Sequence, residues 1–165
     1  MTQKTKLVIC AAAAAAAAFI WYSIQPQPQY GEATVGFKKT GEVVQAFTPK
    51  NDVASTLGLG GRTVLPEDYG MLWRFPTPTK PMFTMHGMRL PLDFIWMKDG
   101  KIVEVTENVP IGKELLKPSV DVTSVLEVNA GYTGKRGLKA GDEAEIMGAF
   151  DGRSEEHTSE LQSQR

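Results

Sequence analysis

An Asp-Gly pair at residues 99 and 100 separates two short runs rich in β-branched and aromatic residues, and this arrangement most constrains the fold. The first run covers residues 92–97 and the second covers 101–106. Asp and Gly both tolerate the positive φ angles that a two-residue hairpin turn requires. The surrounding region has no helical period of apolar residues. The sequence therefore predicts a β-hairpin here, within a domain built mainly of strands.

Other short runs of the same kind follow along the chain, separated by turn residues roughly every eight to twelve positions. They predict further strands at residues 33–38, 42–48, 71–75, 82–85, 122–128 and 143–147. A short helix is predicted from a cap at Asn51 or Asp52 to residue 57, and a second from a cap at Asn129 to Gly137. The predicted fold class is mostly β, a single compact β-sandwich or barrel of about eight short strands with one or two short helices.

The N-terminus carries an apolar run of 18 residues, 7–24, which follows Lys4 and Lys6. That length is at the short end of what crosses a bilayer as a helix. The two lysines before the run predict that the N-terminus lies in the cytoplasm, and Trp21 and Tyr22 lie where interfacial aromatic residues are expected. The run predicts a membrane helix that acts as a signal anchor. A cleaved signal peptide with an Ala-x-Ala site is the alternative.

These features divide the chain into four segments. Residues 1–24 are the signal anchor or signal peptide, 25–32 an extended linker, 33–150 the β domain and 151–165 a polar tail. From Arg153 the tail resembles the translation of a sequencing-adapter oligonucleotide, so we expect it to be an artefact. The protein is expected to be membrane-anchored or secreted, with membrane contact through residues 7–24 and the domain on the periplasmic or extracytoplasmic side.

Charge and motif content narrow the range of functions. The formal net charge is -1, so no basic excess indicates a nucleic-acid partner. The single cysteine, Cys10, lies in the apolar run, which leaves the exported part without a disulfide or thiolate metal site. The sequence has no nucleophile-elbow, zinc-protease, phosphate-loop or dinucleotide-binding pattern, so no cofactor is expected. Enzyme function is undecided at this level.

The segment 82–88 contains Met82, Met85, His86 and Met88. Thioether and imidazole groups suit Cu(I), which makes these four residues candidate copper ligands. In a strand, Met82, His86 and Met88 would share one face and Met85 would point to the other. The alternative is that the methionines fill the hydrophobic core.

Two carboxylates lie among apolar residues of predicted strands: Asp93 and Glu127. An unpaired buried charge is expensive, so each must be solvated or have a partner. Burial would raise its pKa and make it a candidate acid or base. Together with Asn129 they could converge on one pocket, and Arg89 is a further candidate ligand contact. The alternative is that they make structural hydrogen bonds to loop backbone.

Three segments resemble, in order and spacing, the family catalogued as domain of unknown function 192. They are LPEDYGMLWRFP, FTMHGMRLPLDFIWMKDGKIVEV and VLEVNAGYTGKRGLKAGD, and the resemblance covers residues 42–146. The family is bacterial and archaeal, often exported, and has no established activity. The resemblance therefore implies a mostly β fold and an exported location, but no reaction. This chain departs from the family pattern at Thr84, where an aromatic is usual, and at His86, where a lysine is usual.

The sequence thus predicts a cell-envelope protein whose exported β domain is a non-catalytic binding or accessory module. Its partner would be a small molecule or an envelope protein, held at a patch lined by Trp73, Arg89 or Trp96. Two alternatives are a small envelope enzyme that uses Asp93 and Glu127, and a copper-binding module built on the Met/His segment.

Overall fold

The computed structural model describes residues 3–148, with side chains from residue 14 onward. The tail 151–165 therefore lies outside the described residues. The elements follow in chain order: α1 (Gln3–Ile24), β1 (Tyr30–Phe37), β2 (Val43–Pro49), α2 (Asp52–Leu57), β3 (Tyr69–Thr79), β4 (Leu92–Lys98), β5 (Lys101–Val109), β6 (Val122–Asn129), α3 (Tyr132–Arg136) and β7 (Ala144–Met147). The predicted mostly β class with short helices in the domain is confirmed.

The strands form one sheet in the order β5-β4-β6-β3-β2-β1-β7, which is curled into a half-barrel. All neighbouring pairs are antiparallel except β2 and β3. The two edges meet at one end. There the amide of Ile102 donates to the carbonyl of Asp142 at 2.9 Å, and the amide of Ala144 donates to the carbonyl of Gly100 at 2.9 Å. The residues described thus form one curled sheet, and not the two packed sheets of a sandwich.

The predicted hairpin is present between β4 and β5. Asp99 has φ 50° and Gly100 has φ 76°, so both turn residues occupy the left-handed region that this turn requires. Lys98 and Lys101 lie directly opposite each other at the base of the turn. Because the carbonyl of Gly100 also accepts a hydrogen bond from β7, the same turn that joins β4 to β5 helps to close the sheet.

The prediction of a strand at residues 82–85 is wrong. Phe83 makes a single bridge to Leu116, and the segment is otherwise a loop that lies over the sheet. Pro81 before it cannot donate to a ladder, and Gly87 after it has φ 75°, which turns the chain away. The predicted strand count therefore falls from about eight to seven in the described part of the chain.

The helices also differ in detail from the prediction. Asn51 caps α2 as expected, because its side chain accepts a hydrogen bond from the amide of Ala54 at 2.9 Å. Asn129, predicted to cap the last helix, belongs to β6, and the residue before α3 is Gly131, which has no side-chain cap. The first strand begins at Tyr30, so the predicted linker 25–32 includes the start of β1.

Apolar residues are buried on both faces of the sheet. Ile102 of β5 and Ala144 of β7 come from the two edges of the sheet and share one cluster, so this cluster fills the inside of the half-barrel. A second cluster lies on the outer face, where loop residues such as Met85 and Leu116 cover the sheet. Strand β4 contributes to both clusters, which explains why its sequence is apolar at successive positions.

The N-terminal helix is connected to the domain by a hydrogen-bonded segment. The side-chain amide of Gln27 donates to the carbonyl of Tyr22 at 3.2 Å, in the last turn of α1. The carbonyl of Gln27 accepts from the side chain of Asn51 at 2.8 Å, and the amide of Gln29 donates to the side chain of Asn51 at 3.2 Å. Among residues 14–148, no helix combines the length and apolarity needed to cross a membrane.

Candidate functional site

Asp93 is fully buried, with 0% of its surface exposed, and both carboxylate oxygens are occupied. One oxygen accepts from the amides of Asn108 at 2.7 Å and Gly131 at 3.0 Å. The other accepts from the amide of Thr133 at 2.9 Å and from its hydroxyl at 2.6 Å. The carboxylate therefore holds the start of α3 and a left-handed residue of β5 in place. This is the structural alternative considered for Asp93.

Glu127 lies on the opposite face of the sheet. In the register of β4 and β6, Asp93 lies opposite Val128, whereas Glu127 lies opposite Phe94, a residue of the outer cluster. The carboxyl of Glu127 is 5% exposed and accepts from the indole N–H of Trp73 at 2.9 Å. Desolvation by burial raises the pKa of Glu127 to about 8, against a smaller lowering by the hydrogen bond from Trp73. The two carboxylates do not share a cleft.

Asn129 and Arg89 do not complete a site with either carboxylate. The side-chain amide of Asn129 donates to the carbonyls of Leu65 at 2.8 Å and Pro66 at 3.2 Å, so it fastens a loop to the sheet. Arg89 is exposed in the loop before β4. The four residues predicted to bind a ligand are therefore not brought together.

The Met/His segment does not present a common set of ligands. Met85 is 1% exposed and packs in the outer cluster, whereas Met82 is 72% exposed and His86 is exposed in the turn at Gly87. Met88 is half-buried against the outer cluster. The expected alternation of a strand is lost because this segment is a loop. Residues 14–148 also hold no group of three or more His, Cys, Asp and Glu side chains placed to bind a metal.

Of the two tryptophans named for a binding patch, Trp96 is fully buried and donates to the hydroxyl of Thr106 at 2.9 Å. Trp73 is half-buried and packs edge-on against Phe83, with ring centroids 5.3 Å apart. Both belong to the outer face, so of the predicted patch Trp96 is buried, Trp73 is half-buried and Arg89 is exposed.

A concave site is found instead at the end of the half-barrel where the β4–β5 turn meets β7. It is a cavity of about 850 Å³, lined by residues of β3, β5, β6 and β7, by the β4–β5 turn and by the residue that follows β1. Its lining residues are Lys38, Arg74, Phe75, Pro76, Asp99, Gly100, Lys101, Thr123, Ser124, Glu143, Ala144, Glu145 and Ile146. The volume is within the range of small-molecule sites.

The charges around this end cavity balance. The lining residues include three cations, Lys38, Arg74 and Lys101, and three carboxylates, Asp99, Glu143 and Glu145. Lys38 and Glu143 form an exposed ion pair with a distance of 2.5 Å. The hydrogen bond from Lys38 lowers the pKa of Glu143, and the same bond raises the pKa of Lys38. The lowered pKa keeps the Glu143 carboxyl ionised at neutral pH, beside the ammonium group of Lys38.

Sequence reasoning missed this cavity. Its residues are distant in the chain and meet only because β5 and β7 are joined when the sheet curls. The one local signal was the Asp99-Gly100 turn, whose carbonyl reaches β7. That this turn borders a cavity could not be predicted, because the topology determines which strand lies beside it.

The fold and the site define a class of small, mostly β domain in which one curled sheet encloses a core and carries a polar cavity at one end. The chain belongs to the family of domain of unknown function 192, described as Uncharacterized ACR, whose model matches residues 35–146. No curated protein matches the chain.

Two solved structures are similar to the domain. A protein of unknown function from Novosphingobium aromaticivorans DSM 12444 is 25% identical with a TM-score of 0.63, over 73% of this chain and 93% of that one. A candidate transcription regulator from Sinorhizobium meliloti 1021 is 28% identical with a TM-score of 0.63, over 73% of this chain and 98% of that one.

Proposed function

We propose that this chain is a cell-envelope protein whose β domain is a non-catalytic module that binds a small polar molecule in the end cavity. The observation that carries the proposal is the cavity itself, which combines an adequate volume with side chains of both charges. The two buried carboxylates, Asp93 and Glu127, support the non-catalytic part of the proposal. Asp93 is occupied by four hydrogen bonds and Glu127 is covered on the other face of the sheet. Neither is placed to act on a molecule in the cavity.

The ligand class follows from the lining. Arg74 and Lys101 suit a carboxylate, and Glu145 and Asp99 suit an ammonium group. A molecule with both groups, such as a free amino acid or a short peptide, would match a cavity with no net formal charge. Ser124 also lines the cavity, and the hydroxyl of Thr123 accepts a hydrogen bond from the amide of Asp99 at 3.3 Å.

A nucleic-acid ligand has less support, although one structural relative is described as a candidate transcription regulator. The formal net charge of this chain is -1, and the cations of the cavity are matched by carboxylates. Binding to the phosphate backbone requires an excess of Lys and Arg on one surface.

The proposed location is the extracytoplasmic side of the membrane, with residues 7–24 as the anchor. Support comes from the apolar composition of that run and from the lysines before it. The family resemblance to exported proteins agrees with this location. Protease treatment of intact cells and of spheroplasts tests it: the domain should resist protease until the outer barrier is removed, and should stay with the membrane after an alkaline wash. Recovery of the protein in the soluble cytoplasmic fraction would refute the location.

Ligand binding is tested on the full chain by thermal shift against free amino acids and dipeptides, followed by calorimetry of any that stabilise it. Arg74→Gln and Glu145→Gln should each weaken binding about tenfold, because each removes one charged contact from the cavity. Arg89→Gln is the matched control, since Arg89 is exposed and outside the cavity. Equal weakening in the control, or no stabilising compound in the panel, would contradict the proposal.

A further inference from the structure

A second depression, which we call the lysine groove, lies beside the end cavity and shares Lys101 with it. Its volume is about 700 Å³. The groove is lined by Lys80, Lys98, Lys101, Ile102, Val103, Ser119, Val120, Asp121, Ala140 and Gly141. Among these described residues three are lysines and Asp121 is the single carboxylate, which gives the lining a formal charge of +2. The whole chain has a formal charge of -1, so the lining of the groove carries a charge of the opposite sign.

Two of the lysines are cross-strand neighbours of like charge. Lys98 and Lys101 are directly opposite each other across the β4–β5 hairpin. Like charges in this position repel, and opposite charges would stabilise the hairpin. An anion bound between the two ammonium groups would offset this repulsion.

The groove is also held in shape before any ligand arrives. The ammonium group of Lys80 donates to the carbonyl of Ser119 at 2.6 Å, and the amide of Ser119 donates to Glu104 at 2.8 Å. On the other wall, the amide of Gly141 donates to the carbonyl of Ile102 at 2.8 Å. A cation fixed in this way loses less side-chain entropy when it binds an anion.

We propose that the lysine groove binds a phosphate group. A phosphate monoester carries close to two negative charges at neutral pH, which matches the formal charge of the lining, and lysine is a common phosphate ligand. The phosphate can belong to a soluble ester or to a lipid headgroup, and the chemistry recognised is the same. The lysine groove and the end cavity are proposed to bind different ligands, and Lys101 is the only lining residue that they share.

The test uses the full chain in detergent or reconstituted in vesicles. Glycerol 3-phosphate is the soluble probe, measured by calorimetry at constant ionic strength. Vesicles of phosphatidylcholine with and without phosphatidic acid are the lipid probe, measured by protection of the groove lysines from acylation. Binding of the soluble probe identifies a soluble ester, and protection by phosphatidic acid alone identifies a headgroup. Absence of both responses would overturn the proposal.

Lys98→Gln separates a binding role from a purely structural one. It should weaken phosphate binding at least fivefold and raise the melting temperature of the unliganded protein by about 2 °C, because the repulsion with Lys101 is removed. Lys113→Gln is the matched control: it removes one charge from an exposed lysine outside the groove and should change neither quantity. Phosphate affinity that is the same in Lys98→Gln and in the wild type would refute the assignment, whatever the melting temperature.

Discussion

Asp93 and Glu127 occupy neighbouring strands, but the sheet separates them and their surroundings differ. Asp93 is fully buried and accepts four hydrogen bonds. Glu127 has Trp73 as a donor and otherwise lies beside apolar residues. With one donor facing it, the carboxyl of Glu127 has a pKa that burial raises to about 8.

Asp93→Asn should lower the free energy of unfolding by about 3–5 kcal/mol, because an amide nitrogen would face buried N–H donors that now bond to a carboxylate. The measurement is urea unfolding at pH 7. Asp68→Asn is the control, since Asp68 is exposed, and it should change stability by less than about 0.5 kcal/mol. A loss below 1 kcal/mol in Asp93→Asn would show that the hydrogen bonds contribute little.

The raised pKa of Glu127 predicts that the stability of the protein depends on pH. Its pKa is about 8 in the folded protein, against 4.5 for an ordinary glutamate. The folded state thus binds more protons than the unfolded state between these values, so stability falls as pH rises from about 4.5 to about 8. The slope from this one group is up to about 1.4 kcal/mol per pH unit.

Glu127→Gln isolates this contribution, because the amide cannot ionise and its oxygen can still accept from Trp73. Urea unfolding at pH 5, 6.5 and 8 should show that the wild type loses several kcal/mol relative to the variant across the range. The other titrating groups are common to both proteins and cancel in the difference. Parallel curves for the two proteins would mean that Glu127 is ionised throughout.

Among the elements, β3 and β6 approach unusually closely at Gly70. A Cβ atom added there would lie 2.5 Å from the carbonyl oxygen of Glu127, which is shorter than any normal contact. Gly70→Ala should therefore force the strands apart and lower the free energy of unfolding by about 1–3 kcal/mol. Gly36→Ala, in β1, is the control because nothing lies within 4 Å of the added carbon. Equal stability of the two variants would show that β3 can shift without loss.

An element could be predicted when residues close in sequence determine it, and could not when distant parts of the chain do. The Asp99-Gly100 hairpin was predictable because two residues supply the backbone angles that the turn needs. The loop at 82–85 was not, because its apolar residues cover the outer face of a sheet that must already exist. The face occupied by Asp93 or Glu127 was also hidden, since β4 and β6 are buried on both sides and show no alternation.

At the scale of the whole molecule, both proposed sites depend on the joining of β5 and β7. Lys101 borders the end cavity and the lysine groove, and it lies beside the backbone hydrogen bonds that close the sheet. Such sites could not be predicted from the sequence, because residues near 38, 74, 101 and 143 meet only after the sheet curls. The strand order, with β6 between β4 and β3, likewise follows from no local signal.

The connection between α1 and the domain gives a prediction at the same scale. Asn51 has two functions: its oxygen caps α2 and its amide nitrogen donates to Gln27, which in turn contacts the last turn of α1. Asn51→Asp keeps the acceptor and removes the donor, whereas Asn51→Ala removes both. We expect Asn51→Ala to lower stability by about 1–2 kcal/mol and Asn51→Asp by less than about 0.5 kcal/mol.

Both variants should loosen the orientation of the domain relative to α1, because each breaks the hydrogen bond to Gln27. Spin labels at Ser23 and Glu114, in a Cys10→Ser background, measure this as the width of the distance distribution between helix and domain. The wild type should give a narrow distribution, and both variants a broader one of similar width, although only Asn51→Ala is destabilised. A broad distribution in Asn51→Ala alone would assign the orientation to the helix cap, and a broad one in the wild type would show that residues 25–29 act as a free tether.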